Sequence, residues 1–172
     1  GARACESSGG GRVTGRHTPV YIRRMDVPTK GYLFETDEHR TLRDQIRRFA
    51  ATAIAPHAHA WEEANEFPRE LYQEAARAGF LGIGYPEELG GNGGDLTHVL
   101  VASEEMVLAG KSVGTLVGLG SLGIAIPPIV KFGNDDQKQR FVLPALNGQK
   151  ISALGITEPG GGSDVAAVRT KA

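Results

Sequence analysis

The chain has 172 residues, 40% of them hydrophobic and 23% charged, enough for one domain with a real apolar core. A formal net charge of -1 and an aromatic content of 6% exclude a broadly basic, base-stacking nucleic-acid surface and give no general attraction to anionic lipid. The single cysteine, Cys5, has no partner for a disulfide within the chain, so a reducing compartment is the expected setting.

Residues 1 to about 30 are rich in Gly, Ser and Arg and have no apolar periodicity. Val20-Tyr21-Ile22 is too short for the apolar part of a secretory signal. Arg3, Arg12, Arg16, Arg23 and Arg24 outnumber the acids, as in a cationic transit peptide. The plainer reading makes Met25 the start and the residues before it translated upstream sequence. Segment 1–33 is therefore expected to be a disordered or spurious extension. The expected location is cytoplasmic, or the mitochondrial matrix if the extension is a genuine transit peptide.

Helical periodicity begins after Thr36, an N-cap type followed by Asp37 and Glu38, whose charges suit a helix start. Leu42, Ile46, Phe49 and Ala53 recur at helical spacing, with Arg43, Asp44, Arg47 and Arg48 on the other side. Pro56 must kink or end this helix. His57 and His59 make a poor metal pair, because residues two apart point to different helix faces, and no metal site is expected. A second helix opens at Pro68, carries Leu71, Ala75 and Ala78 inward, and stops at Gly79. Leu81 to Gly94 is dense in glycine and reads as an irregular loop. A third helix spans about Asp95 to Ala109, with Val99, Ala102 and Met106 as its stripe and Gly110 as its end. Its adjacent Glu104 and Glu105 diverge by about 100° and are expected on a solvated face.

From Ser112 to Val130 there is no charged residue. The length approaches a membrane span, but four glycines and Pro127-Pro128 argue for a buried helix instead, and no membrane span is expected. Its small residues leave room for a neighbouring helix or for an apolar ligand, and both readings stay open. Asn134, Asp135, Asp136 and Gln137 form a capping-box start for a last helix, which ends around Pro144 to Gly148. Ile151 to Ile156 reads as a short strand.

Thr157-Glu158-Pro159-Gly160-Gly161-Gly162-Ser163-Asp164 follows. Three glycines free the backbone to approach a ligand and turn its amides toward an anion, while Thr157 and Ser163 offer hydroxyls. Asp164 excludes a P-loop, and Val165 excludes both a dinucleotide fingerprint and a nucleophile elbow. A simple glycine-rich turn remains the alternative.

Gly155-Ile156-Thr157-Glu158-Pro159-Gly160-Gly161-Gly162-Ser163-Asp164 closely resembles the flavin-contacting signature of acyl-CoA dehydrogenases. Tyr85-Pro86-Glu87-Glu88-Leu89-Gly90-Gly91 resembles a loop that these proteins carry after their early helices. Lys131-Phe132-Gly133-Asn134-Asp135-Asp136-Gln137-Lys138, with Leu143-Pro144-Ala145-Leu146 and Gly148, resembles the helix before their flavin strand. The resemblance is collinear from about Phe34 to Ala172. It implies a mainly α fold, with the family's amino-terminal helical domain over 34–148 and the start of a truncated middle β-domain over 149–172. It further implies FAD as cofactor, contacted by Leu154, Gly155, Ile156, Thr157, Glu158, Pro159, Gly160, Gly161, Gly162 and Ser163, with Ser163 also touching the CoA part of the substrate. Helix residues around Val113 to Leu122 would wall the acyl pocket. The implied reaction is α,β-dehydrogenation of an acyl-CoA to the 2-enoyl-CoA, and the catalytic carboxylate is expected beyond residue 172. On that basis the chain alone is expected to be inactive and a weak FAD binder. Electron-transfer flavoprotein as electron acceptor and homo-oligomerisation are implied for the intact protein. An acyl-CoA oxidase, a flavin monooxygenase or a non-catalytic helical interaction module are the alternatives on the same scaffold.

Overall fold

The structure is a computed structural model that describes residues 31–171, so the readings of the segment up to residue 30 lie outside the described residues. Helix α1, Asp37–Phe49, runs on into a π-helical turn, Ala50–Ile54, and the apolar stripe continues through both. Ile46, Ala50 and Ile54 are all removed from solvent. Past the Pro56 break, α2, Ala58–Ala64, ends at Asn65 in the left-handed region. Helix α3, Glu70–Arg77, follows Pro68 and stops where Gly79 takes a φ of +81°, as its position predicts.

Helix α4, Leu96–Gly110, starts on Asp95, whose carboxylate accepts from the Thr97 and His98 amides at 2.8 and 3.3 Å. Its stop is Lys111, left-handed at a φ of 59°, one residue past the expected Gly110. Ala102 and Met106 of α4 pack with Ile46 of α1, Ala50 of the π-helical turn, and Leu71 and Ala75 of α3 in one buried cluster. Fully burying a Leu, Ile or Met side chain is worth about 1.5–3 kcal/mol, so this cluster is the main source of stability.

Glu104 and Glu105 do not lie on a solvated face. Glu105 has a side chain 6% exposed and accepts from Arg43 Nη1 at 2.9 Å and from Arg47 Nε at 3.0 Å. Arg43 also pairs with Glu104 at 2.7 Å and with Glu35 at 2.5 Å. On the charged side of α1, Asp44 and Arg48 face solvent, Arg47 is half exposed while reaching Glu105, and Arg43 alone is largely covered by α4.

The uncharged stretch is also not one buried helix. By length and composition, 113–132 is sufficient to cross a membrane, the one such stretch among the described residues, yet only 22% of its apolar window is buried. It divides into α5, Val113–Leu119, α6, Leu122–Ala125, and α7, Pro127–Phe132. Gly120 and Ser121 interrupt it, and Pro127 enters as a first-turn residue, where its missing N–H is not needed. Beyond it come α8, Asp135–Gln137, a π-helical turn, Lys138–Val142, and α9, Leu143–Leu146. The expected capping box is present: Asn134 Oδ1 accepts from the Gln137 amide at 2.8 Å, and Gln137 Oε1 accepts from the Asn134 amide at 2.9 Å.

Residues 151–156 are not paired as a strand. Among the described residues, the one bridge joins Glu158 and Gly161 within a turn. Alternating apolar residues make a strand only when a neighbouring strand takes up the backbone groups, and no described segment offers one. The fold is mainly helical, with an extended tail.

Candidate functional site

The α4 face, α5 to α7 and the loop 80–86 line an open cavity of about 740 Å³. Leu81 and Ile83 from the loop, Val99 and Ala102 from α4, and Leu116, Leu119 and Leu122 from the α5–α6 stretch give it hydrocarbon walls. Ser103, Tyr85 and Lys131 are the polar members of its lining. Tyr85 turns its hydroxyl to the Leu122 carbonyl at 3.2 Å, and burial raises its pKa, so its ring adds to the apolar wall. Tyr72 does the same for the Gly118 carbonyl at 3.1 Å. Both carbonyls also accept a backbone amide, Ile126 to Leu122 at 3.0 Å and Ser121 to Gly118 at 3.3 Å, so the phenols are second donors that tie α3 and the loop to the α5–α6 stretch.

The start of α5 is held from another helix. Glu62 of α2 accepts from Ser112 Oγ at 2.6 Å and from the Gly114 amide at 3.1 Å, bonds that hold its carboxyl below the ordinary range. The cavity wall is thus pinned at its amino-terminal end by a charge-assisted cap.

Ser121 Oγ donates to the Ser152 carbonyl at 2.9 Å and ties the extended tail to the α5–α6 junction. None of Leu154 to Ser163 lines the cavity. Leu154 and Ile156 stay exposed, and at Gly155, Gly160 and Gly161 a Cβ would meet no atom within 4 Å. That open, side-chain-free backbone is compatible with close approach of a flat or anionic group. Glu158 turns back on the tail: it accepts from the Arg169 and Thr170 amides at 3.0 and 2.7 Å, and Thr170 is the main cause of its lowered pKa. Thr157 lies beside Gly162, whose Cβ would sit 3.6 Å from the threonine methyl.

His57 and His59 hold nothing in common: His57 stacks on Trp61, and His59 faces Glu63 at 3.6 Å. A different cluster, His39, Asp95 and His98, has ligand atoms within 4.8 Å of one another. The two imidazoles stack with centroids 4.0 Å apart and planes 24° apart, so their lone pairs run nearly parallel and do not converge on one ion. Each ring instead serves a helix start. His39 Nδ1 accepts from the Thr36 amide at 3.3 Å, and His98 Nδ1 donates to the Asp95 carboxylate at 2.9 Å.

Of the wall that the resemblance implied around Val113 to Leu122, the part from Leu116 on lines the cavity, while the floor from Phe80 to Pro86 and the α4 contribution were missed. The signal was present in Phe80-Leu81 and Ile83, apolar residues inside an otherwise polar, glycine-rich loop.

Residues 36–149 match the family model described as the acyl-CoA dehydrogenase N-terminal domain, well over half of the chain. The chain belongs to the acyl-CoA dehydrogenase family. It is 36% identical over 137 residues to the probable acyl-CoA dehydrogenase YngJ of Bacillus subtilis, covering 80% of this chain and 36% of that protein. A solved acyl-CoA dehydrogenase of Mycobacterium smegmatis superposes at a TM-score of 0.77 with 46% identity, over 81% of this chain and 37% of that one. An acyl-CoA dehydrogenase of Bacillus anthracis solved with FAD gives a TM-score of 0.70 and 33% identity, over 78% of this chain and 23% of that one. The chain thus spans little more than a third of the first two and less than a quarter of the third. The acyl-CoA dehydrogenase match takes in every helix around the cavity and stops before Leu154.

Proposed function

We propose that this chain forms the acyl-binding helical wall of an FAD-dependent acyl-CoA dehydrogenase, which converts an acyl-CoA thioester to its 2-enoyl-CoA. The supporting observation is the apolar cavity of about 740 Å³ built by the helices that lead into the glycine-rich tail. In this reading the cavity takes the acyl chain by excluding water from it. Leu154 to Ser163 then lie along FAD, with Thr157 near the ring and Ser163 shared with the CoA portion. The open backbone at Gly155, Gly160 and Gly161 fits such an approach. FAD, when bound, accepts the β-hydrogen as hydride. The α-proton goes to a carboxylate, and none is among the residues that line the cavity. Electron-transfer flavoprotein is the proposed electron acceptor, the active form is a homo-oligomer, and the protein works without a membrane span.

The decisive experiment takes the protein in its full coding length, loads it with FAD and titrates it anaerobically with a panel of acyl-CoAs. Bleaching of the flavin absorbance by at least one thioester is the expected result. A flavin that no acyl-CoA reduces would sink the proposal.

A further inference from the structure

We propose that Glu158 is a positioning residue for the flavin segment: its carboxylate ties the neck of the loop 158–170 and so presents the glycine amides to FAD, while its own side chain does not touch the flavin. This rests on the FAD-dependent reading above. Glu158 closes two loops at once. Its main chain exchanges hydrogen bonds with Gly161, the Glu158 amide donating to the Gly161 carbonyl at 3.0 Å and the Gly161 amide donating back at 3.1 Å. Its side chain reaches further along the tail. Oε2 accepts from the Arg169 amide at 3.0 Å, and Oε1 accepts from the Thr170 amide at 2.7 Å and from the Thr170 hydroxyl.

What the tied loop offers is a set of unclaimed donors. Among the described residues, no backbone carbonyl accepts from the amides of Gly160, Gly162 or Ser163. A Cβ on Gly160 would meet nothing within 4 Å, so a ligand can come up to that backbone. Free amides with no side chain in front of them suit a phosphate or a ring carbonyl oxygen. A carboxylate left free in such a segment would repel an anionic group by its own charge. Three donors at the neck hold that charge in place instead. Without the tie, the ligand itself must order the loop, and that entropy cost weakens binding.

The test titrates the flavin-free protein, in its full coding length, with FAD, following fluorescence quenching. Glu158→Ala is expected to raise the FAD dissociation constant by at least about tenfold, and Thr170→Val by about threefold. Glu158→Gln should fall between them, because it keeps an oxygen for Thr170 but turns an NH2 group toward the Arg169 amide. The double variant, Glu158→Ala with Thr170→Val, should bind as Glu158→Ala does, since Thr170 acts through the carboxylate. Hydrogen–deuterium exchange supplies a readout without ligand. The Arg169 and Thr170 amides should exchange faster in Glu158→Ala, while those around Ile46 keep their protection. Thr170→Val and Glu158→Gln carry the comparison if Glu158→Ala does not fold. Equal FAD affinities throughout overturn the assignment and leave the dehydrogenase reading standing. Fully additive losses overturn it too, because they make Glu158 and Thr170 separate contacts. The expected pattern of FAD affinities, with no bleaching by any acyl-CoA, keeps the Glu158 assignment and removes the dehydrogenase reading. An unsubstituted protein that binds no FAD removes both.

Discussion

Arg43 Nη1 donates to Glu105 Oε1 at 2.9 Å and joins α1 to α4 across 62 positions of sequence. The same carboxylate receives Arg47, whose side chain is 51% exposed, while that of Glu105 is 6% exposed. Removing the carboxylate takes one of three acidic partners from Arg43, which keeps Glu35 and Glu104, while half-exposed Arg47 keeps Asp44. No buried charge is left unpaired, so the cost is that of lost hydrogen bonds to charged groups. Glu105→Ala is expected to lower unfolding free energy by about 2 kcal/mol. Glu105→Gln should lose less, since one oxygen still accepts. Urea unfolding followed by circular dichroism checks both, and a loss of less than about 1 kcal/mol for the alanine variant would place the pair among inert surface contacts.

Asp95 provides the pH dependence with the clearest sign. Hydrogen bonds from Thr97 and then His98 hold its carboxyl far below the ordinary range in the folded protein. An unfolded aspartate titrates at about 4. A folded pKa below that value means the contribution is complete above about pH 4 and is lost as pH falls through the folded pKa. Asparagine caps a helix as well as aspartate does. Asp95→Asn should therefore leave the melting temperature nearly unchanged at neutral pH and flatten its decline below about pH 4. Equal acid slopes for the two proteins would remove Asp95 from the acid response.

The α1 stripe and the α3 stop were legible because each is local. Ile46 recurs at helical spacing, and Gly79 must take a positive φ where the helix ends. The Asn134 capping box was legible for the same reason. Glu105 was not, because its partners Arg43 and Arg47 are 62 and 58 residues away and nothing near it signals burial. Ile151 to Ile156 carried a strand pattern, but pairing belongs to a partner segment and not to the pattern itself. At the site, the uncharged run left helix packing and ligand binding both open, and only the family resemblance pointed to a wall around Val113 to Leu122, of which Leu116, Leu119 and Leu122 line the cavity. The floor did not, because Leu81 and Ile83 sit in a loop with no period to display.

That loop has its own test. Its backbone closes on itself: the Asn92 amide donates to the Gly82 carbonyl at 2.8 Å, and the Gly93 amide donates to the Tyr85 carbonyl at 2.9 Å. A Cβ on Gly91 would run into the Tyr85 carbonyl, which is backbone and does not rotate away. Gly91→Ala is expected to cost about 1–3 kcal/mol through forced backbone movement. Gly123→Ala, with open space around its Cβ, should be neutral or mildly stabilising. Paired thermal melts decide it; equal midpoints for the two variants would contradict the close approach at Gly91.

Glu62 tests whether the cavity wall depends on a cap supplied from α2. Its carboxylate takes the Gly114 amide and the Ser112 hydroxyl, and the Ser112 oxygen in turn accepts from the Thr115 amide at 3.0 Å. Glu62→Ala removes the first acceptor and frees Ser112 to rotate. The amides at the start of α5 should then exchange with solvent markedly faster, while those of α1 around Ile46 keep their protection. The unsubstituted protein should show the same loosening in acid. Its Glu62 carboxyl is held below the ordinary range by Ser112 first and Gly114 second. Protection is therefore complete above the unfolded carboxyl value and falls as pH drops through the lowered one. Because Leu116 and Leu119 ride on α5 into the cavity, Glu62→Ala should also weaken binding of a long-chain ligand. Unchanged exchange at Gly114 and Thr115, read by hydrogen–deuterium exchange, would mean that α5 holds its own start and that Glu62 is a bystander.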